Sequence, residues 1–299
     1  MRKEISLAEL GNALAEGPAG REKIEKQKRA IQDLTEAIVL MAKRQRPYEV
    51  PVSTRDNEIK FGLISDTHIG SLYQRTDALK AFYGHCEREG VENVLHAGDV
   101  LSGFNVYKGQ IFELHPNGRS WPEQRDMFTD LVPRIKGIST HFITGNHDAS
   151  FKKLVGLVAG PDLERARPDW HFVGQDVGTV TLKAKGGASF RVMLYHPGGG
   201  SAYALSYRMQ RMIESLSGGT KPDMVAQGHL HKAQAIPAYR NIYGIDCGCF
   251  EDQTPFMASR ASAAHVGGWI ITVVLGDRKN LTSRVKAEWI GFFHPQEAA

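Results

Sequence analysis

Gly145-Asn146-His147-Asp148 follows an apolar run, His141-Phe142-Ile143-Thr144, that reads as the end of a buried strand. Four small or polar residues at such an end place an amide oxygen, an imidazole and a carboxylate in one cleft. Working outward, the same arrangement recurs. Asp66-Thr67-His68 follows the strand Ile59–Ile64, Gly98-Asp99 follows Val91–Leu95, His196 follows Ser189–Tyr195, and Gly228-His229-Leu230-His231 follows Met224–Ala226. Taken singly, each piece reads as a loop cap, a turn or an ordinary histidine. Five strand ends in succession instead gather Asp, Asn and His at one edge of an α/β sheet, where sites form.

The intervening pattern supports such a sheet. Helices are expected over Thr76–Glu89 and within Pro122–Lys136, where Pro133 interrupts, and a strand over Ile138–Ile143. Strand–helix alternation of this kind argues for parallel strands. The second half differs. Trp170–Val173, Gly178–Ala184 and Ser189–Tyr195 are closely spaced strands, with Gly186-Gly187 as a hairpin signal. A helix over Ala202–Leu216 follows, then strands over Ala233–Ile236 and Asn241–Cys247 and a closing hairpin, Gly268–Leu275 with Leu281–Ile290. Helices early and strands late suggest an α/β fold of two packed sheets with helices outside.

Imidazole, carboxylate and amide oxygen together suit borderline divalent ions such as Mn, Fe, Zn, Co or Ni. Alternate positions, as in Asp66-x-His68 and His229-x-His231, let two ligands from one tight loop reach one site. A carboxylate from another strand, Asp99, can bridge two ions. Two ions about 3.5–4 Å apart would hold a nucleophile and a phosphate oxygen together for in-line displacement. The set contains no thiol, which argues against a structural zinc site.

The ordered set Asp-x-His, Gly-Asp, Gly-Asn-His-Asp, His, Gly-His-x-His closely resembles the calcineurin-like metallophosphoesterase superfamily over about residues 58–275. The resemblance implies a four-layer α/β/β/α sandwich with a dinuclear metal centre. It implies that Asp66, His68 and His231 hold one ion, that Asn146, His196 and His229 hold the other, and that Asp99 bridges them. His147 matches the family's catalytic histidine, near the scissile phosphate and its leaving oxygen, and Asp148 would orient it. His96, inside a strand beside the site, reads as core.

The motifs give a reaction class, phosphoester hydrolysis with manganese as the expected metal, and leave the substrate open. Asp66-Thr67-His68-Ile69-Gly70-Ser71 looks like the opening of repair-nuclease and archaeal DNA polymerase small-subunit members. The stretch Cys247–Phe256 is similar to a Gly-x-x-x-x-Gln-Thr-x-Phe segment of those subunits. These features lean towards a phosphodiesterase or nuclease acting on DNA. The alternatives are a phosphomonoesterase, either a protein or a nucleotide phosphatase, and a non-catalytic accessory subunit in nucleic-acid processing. Against a protein phosphatase, no arginine stands next to Gly145–Asp148 or in the Gly98-Asp99 segment. Gly198-Gly199-Gly200, before a helix starting near Ser201, is a candidate phosphate loop. Arg208 and Arg211 on that helix can reach a strand of DNA or face solvent. The insert Phe104–Trp121 is expected to wall the substrate, with Tyr107, Phe112 and Trp121 as candidate base-stacking residues.

The chain has 299 residues, 41% of them hydrophobic and 23% charged, in the range of a soluble globular protein. No run is long and apolar enough to suggest a membrane span. Cys86, Cys247 and Cys249 make no disulfide framework and fit a reducing, cytoplasmic setting. Before the sandwich, residues 5–16 and 21–46 read as helices broken by Gly17-Pro18-Ala19-Gly20. The second helix holds eight basic residues against four acidic ones, an excess equal to the chain's net charge of +4. It reads as a packing or homo-oligomer-forming helix, or as a basic arm for nucleic acid. The expected domains are a helical extension and linker over 1–56 and a metallophosphoesterase domain over 57–299.

Overall fold

The computed structural model describes residues 48–52, 58–185, 187–200, 204–217, 219, 221–276 and 282–293. The helices expected before Pro47, and with them the arm and assembly roles, lie outside the described residues. In chain order the elements are β1 (Tyr48–Val52), β2 (Glu58–Ile64), α1 (Thr76–Arg88), β3 (Asn93–Ala97), α2 (Trp121–Leu131), β4 (Ser139–Thr144), α3 (Ser150–Val155), α4 (Ala159–Ala166), β5 (Trp170–Gln175), β6 (Val177–Ala184), β7 (Ser189–Tyr195), α5 (Tyr207–Ser215), β8 (Met224–Gln227), β9 (Ala233–Tyr239), β10 (Ile242–Cys247), α6 (Pro255–Ser259), β11 (Gly267–Leu275) and β12 (Thr282–Gly291).

The strands form two six-stranded sheets, ordered β1-β6-β7-β8-β10-β9 and β12-β11-β2-β3-β4-β5. In the second sheet β2, β3, β4 and β5 run parallel, and in the first β7, β8 and β10 do. Ile59, Phe61, Leu63, Leu95 and Ile143 of the second sheet pack between the layers against Val180, Phe190, Val192, Met224 and Ile245 of the first. The opposite face of the second sheet, with Ile64, Val94, Phe142, Trp170 and Ile270, is covered by Leu79 and Phe82 of α1, Phe128 of α2 and Leu163 of α4. On the far side, Met209 and Ile213 of α5 pack on Val225 and Ile242. The result is the expected four-layer α/β/β/α sandwich. Each fully buried aliphatic or aromatic side chain stabilises it by about 1.5–3 kcal/mol before entropy is charged.

Local sequence accounts for the element ends. In α1, Leu79, Phe82, Tyr83 and Cys86 recur at helical spacing on one buried face. Gly90 (φ 68°) ends it, with Gly90 N–H on Glu87 O and Val91 N–H on Cys86 O, a left-handed stop that glycine adopts without strain. Helix α2 stops at Leu131, before Pro133, and the buried Arg167 donates to the freed carbonyls of Val132 and Pro133. Two expectations need correction. Tyr48–Val52, expected as linker, is a strand parallel to β6. Its buried Val50 and Val52 alternate with exposed Glu49 and Pro51, and proline is tolerated because this strand is an edge. The helix expected from Ala202 begins at Tyr207. Among the described residues, no helix is long and apolar enough to cross a membrane.

Candidate metal centre

The motif residues stand at the C-terminal ends of β2, β3 and β4 in one sheet and β7 and β8 in the other, so the two sheets deliver them to one edge of the sandwich. Short backbone bonds tie the loops together. Asp66 N–H donates to Gly98 O at 3.0 Å, His68 N–H to Asp99 O at 3.2 Å and Ile69 N–H to Val100 O at 3.0 Å. Across the sheets, Asp176 N–H reaches Thr144 O at 2.9 Å and His196 N–H reaches Asp176 O at 2.7 Å. Asp66, His68, Asp99, His229 and His231 all have left-handed backbones, with φ of 52°, 43°, 53°, 75° and 53°. Such conformations cost on the order of 1–3 kcal/mol each in non-glycine residues and concentrate at functional sites. Gly145 is required by crowding: a Cβ there would lie 2.3 Å from Asp99 Oδ1 and 2.6 Å from His196 Nε2.

Three overlapping groups of side chains converge closely enough to hold metal ions: Asp66, His68 and His231; His68, Asp99 and His147; and Asp99, His196 and His229. In the first, the Nε2 atoms of His68 and His231 face each other at 3.1 Å. Asp66 Oδ1 lies 3.7 Å and 3.4 Å from them, buried and without a hydrogen-bond partner. In the third, His196 Nδ1 contacts Ala97 O at 2.7 Å, so Nδ1 carries a proton, and in the neutral ring Nε2 presents a lone pair. That lone pair faces two further acceptors, Asp99 Oδ2 at 3.0 Å and Asn146 Oδ1 at 3.2 Å. Asp99 Oδ2 is also 3.9 Å from His68 Nε2, between the two clusters. Buried acceptors pointing at one another repel unless protons or cations stand between them. The donor set therefore fits divalent ions.

The electrostatics carry the same demand. Burial alone would raise Asp66, but the imidazoles of His231 and His68 hold it well below the usual carboxylate range. Burial opposes ionisation of Asp99 too, and His196 and His147 hold it low. Burial would depress His196, yet the Asp99 carboxylate raises it to about 9. The pocket keeps its carboxylates charged and calls for positive charge beside them.

His147 lies next to this cluster, its ring edge-on to His68 with centroids 4.5 Å apart. Its backbone N–H donates to Asp99 Oδ1 at 2.8 Å, and its Nδ1 contacts Ser102 O at 2.6 Å. Burial pushes the imidazole down to about 4, so near neutrality it is uncharged with Nε2 bare. The expected support from Asp148 is not what the structure has. The buried carboxylate of Asp148 accepts from the backbone N–H groups of Val100 (3.1 Å), Leu101 (2.8 Å) and Gly145 (2.9 Å), and a carbonyl orients His147 instead. His96 is buried, as expected for core, and its ring nitrogens meet Thr67 Oγ1 and Gly98 N–H.

A cleft of about 400 Å³ opens over the cluster, lined by His68, Asp99, Asn146, His147, His229 and His231. Tyr107, from the Phe104–Trp121 insert, lines it as expected, whereas Trp121 is buried against Phe151 and Phe112 is 81% exposed away from it. Gly199 and Gly200 also line it, with Gly199 O accepting from His229 Nε2 at 2.6 Å. Arg208 donates to the carbonyls of Gly198 and Gly200, so it braces the loop, and Arg211 pairs with Glu214 at 3.3 Å. Among the described residues, the helix that follows the glycines starts at Tyr207.

Two charged residues of the cleft went unassigned in the sequence. Glu251, buried, sits 3.9 Å from His68 Nε2 and 3.9 Å from His231 Nδ1. It follows the end of β10, so the rule that found the other acids applied to it as well. Arg260 also lines the cleft, just past α6, and no sequence pattern marks it.

The family described as Calcineurin-like phosphoesterase superfamily domain matches residues 59–249, more than half of the chain. A DNA polymerase II small subunit of Halobacterium salinarum is 26% identical over 240 residues, covering 69% of this chain and 46% of that protein. The chain thus spans about half the length of the curated relative it matches. Among solved structures, wild-type Vps29 complexed with zinc from Entamoeba histolytica is 14% identical, with a TM-score of 0.34 over 78% of this chain and 99% of that one. GAP50 of Plasmodium is 11% identical, with a TM-score of 0.44 over 81% and 91%.

Proposed function

The chain belongs to the calcineurin-like phosphoesterase superfamily, and from that membership we propose that it is a dinuclear-metal phosphodiesterase that cleaves nucleic acid, DNA foremost. The observation that carries the reading is the meeting of buried acceptors at the strand ends, with Asp66 Oδ1 unpartnered and the Nε2 atoms of His68 and His231 3.1 Å apart. Asp66, His68 and His231 would hold one ion, Asn146, His196 and His229 the other, with Asp99 shared. Manganese suits these nitrogen and oxygen donors, as do Fe, Zn, Co and Ni. Such ions, when bound, supply Lewis-acid stabilisation of charge on a phosphate and a strong nucleophile near neutral pH.

The chain's own groups do the rest. Ser102 O holds Nδ1–H of His147, which leaves the bare Nε2 as the atom that would take a proton from the attacking nucleophile and pass it to the leaving oxygen. Asp99, through its bond to His147 N–H, fixes that ring relative to the ligand cluster. Asp148 supports the catalyst indirectly, by holding the Val100 and Leu101 backbone that follows Asp99. Ser65, Thr67 and His96 brace the adjoining loops from below.

Support for DNA is the similarity to a polymerase subunit, together with a cleft walled by an aromatic residue and a cation. The same relative is named as a polymerase small subunit, and a second reading is therefore an accessory subunit in nucleic-acid processing. The test is a panel of metal-loaded protein against single- and double-stranded DNA, RNA, cyclic nucleotides and a phosphopeptide. Cleavage of DNA in preference to the phosphopeptide is expected. Turnover of the phosphopeptide alone would move the assignment to a phosphomonoesterase.

A further inference from the structure

Arg260 is an exposed arginine in a built seat. Its guanidinium lies over the ring of Phe256, 4.6 Å from the centroid. Phe256 stacks on Tyr107, with centroids 4.1 Å apart and planes at 22°, and the Tyr107 ring in turn lies 6.1 Å from that of His147. The buried carboxylate of Glu113 locks this column, accepting from Tyr107 O–H at 2.6 Å and from Phe256 N–H at 2.8 Å. Two distant segments, the Phe104–Trp121 insert and α6, are thereby fixed into one wall. The column leads from the histidine beside the candidate metal centre to a guanidinium at its outer end.

An aromatic seat orients the planar guanidinium fork without consuming its N–H donors. Among the described residues no carboxylate lies within ion-pair distance of Arg260, whereas Arg75, Arg125, Arg165, Arg167 and Arg211 each have one. A preset, uncommitted fork in the same cleft as the ligand cluster is suited to a phosphate, which it can grip through two N–H bonds.

We infer that Arg260 binds a phosphate neighbouring the one cleaved, and so selects a polynucleotide strand over an isolated phosphoester. The inference rests on the phosphodiesterase reading above and deepens it. It also places the arginine of this cleft just past α6, away from the positions after Asp99 and Asp148.

The test is the salt dependence of strand binding. The full chain with manganese is titrated with a fluorescein-labelled oligothymidylate carrying phosphorothioate linkages, over a range of salt concentrations. Each phosphate contact on a single strand contributes about 0.7 to the slope of log affinity against log salt. Arg260→Gln is expected to lower the slope by about that amount and Arg260→Lys, which keeps the charge, to preserve it. An unchanged slope in Arg260→Gln would overturn the inference. So would an equal loss in both variants, which would make the residue a packing element of Phe256. Failure of the wild-type protein to bind the strand would overturn it too. Hydrolysis of bis-p-nitrophenyl phosphate, which has no second phosphate, reports separately on the phosphodiesterase reading.

Discussion

Asp148 accepts the backbone N–H of Leu101 at 2.8 Å, and that bond, with its companions from Val100 and Gly145, makes the carboxylate a clamp between two ligand loops. Burial, and then the Asp99 charge, push its acid up to about 7. Asp148→Ala leaves three backbone donors without an acceptor, at about 1–3 kcal/mol each where water cannot replace it. The expected outcome is a lower urea midpoint together with loss of bound metal, measured by elemental analysis. Normal stability and metal content with reduced turnover would instead return Asp148 to the role of a side-chain support for His147.

His147 separates from the ligands in the same measurements. His147→Ala is expected to lower turnover of a phosphodiester by about 100-fold or more, the usual range for a lost acid–base group. Metal content should stay near that of the wild type. Loss of metal would make His147 a ligand, consistent with its place beside His68 and Asp99.

Gly145→Ala tests the packing of the edge. The new methyl would fall 2.3 Å from Asp99 Oδ1, and a close-packed interior relieves such contacts only by moving the neighbours. The shared carboxylate and His196 are those neighbours. Metal affinity should fall at least tenfold by calorimetric titration while the far-ultraviolet spectrum keeps its wild-type form. Unchanged affinity would mean that the edge yields elsewhere.

Acid should destabilise the sandwich through a residue remote from the metal centre. His141 is buried beneath Tyr48, with Nε2 bonded to Asn93 Oδ1 at 2.9 Å and Nδ1 unpartnered. Burial, and then His171, push it down to about 3. The unfolded chain takes this proton near pH 6.5 and the folded chain only near 3, so the contribution is complete above about 6.5 and is lost as pH falls towards 3. At pH 5 the loss is about 2 kcal/mol. His141→Gln should flatten the decline in unfolding free energy between pH 7 and 5, measured by urea titration at each pH; an unaltered decline would contradict the assignment.

Much of this site was legible because its chemistry is local. Asp66-x-His68, Gly98-Asp99, Gly145–Asp148, His196 and Gly228–His231 each follow a strand, and strand ends are readable from apolar runs. The sandwich was legible for the same reason, since the pattern changes from strand–helix alternation to closely spaced strands after Trp170. What escaped depends on contacts distant in sequence. Strand β1 exists because β6 offers it an edge, and Pro51 disguised it. Ser102 rather than Asp148 orients His147 because the loop after Asp99 folds over the Gly145–Asp148 turn, its Val100 and Leu101 N–H groups taking the carboxylate and its Ser102 carbonyl reaching the ring. Trp121 looked like a loop aromatic and is the first residue of α2, packed inside. Arg260 is seated in the cleft through the stacking of Tyr107 on Phe256, residues separated by about half of the chain.

The most direct test of the central claim is hydrolysis of bis-p-nitrophenyl phosphate by the full chain at measured metal content. The account predicts turnover that appears with manganese, vanishes with a chelator and returns when manganese is restored, at about two ions per chain. A protein that holds about two ions per chain and stays inert towards this ester would contradict it.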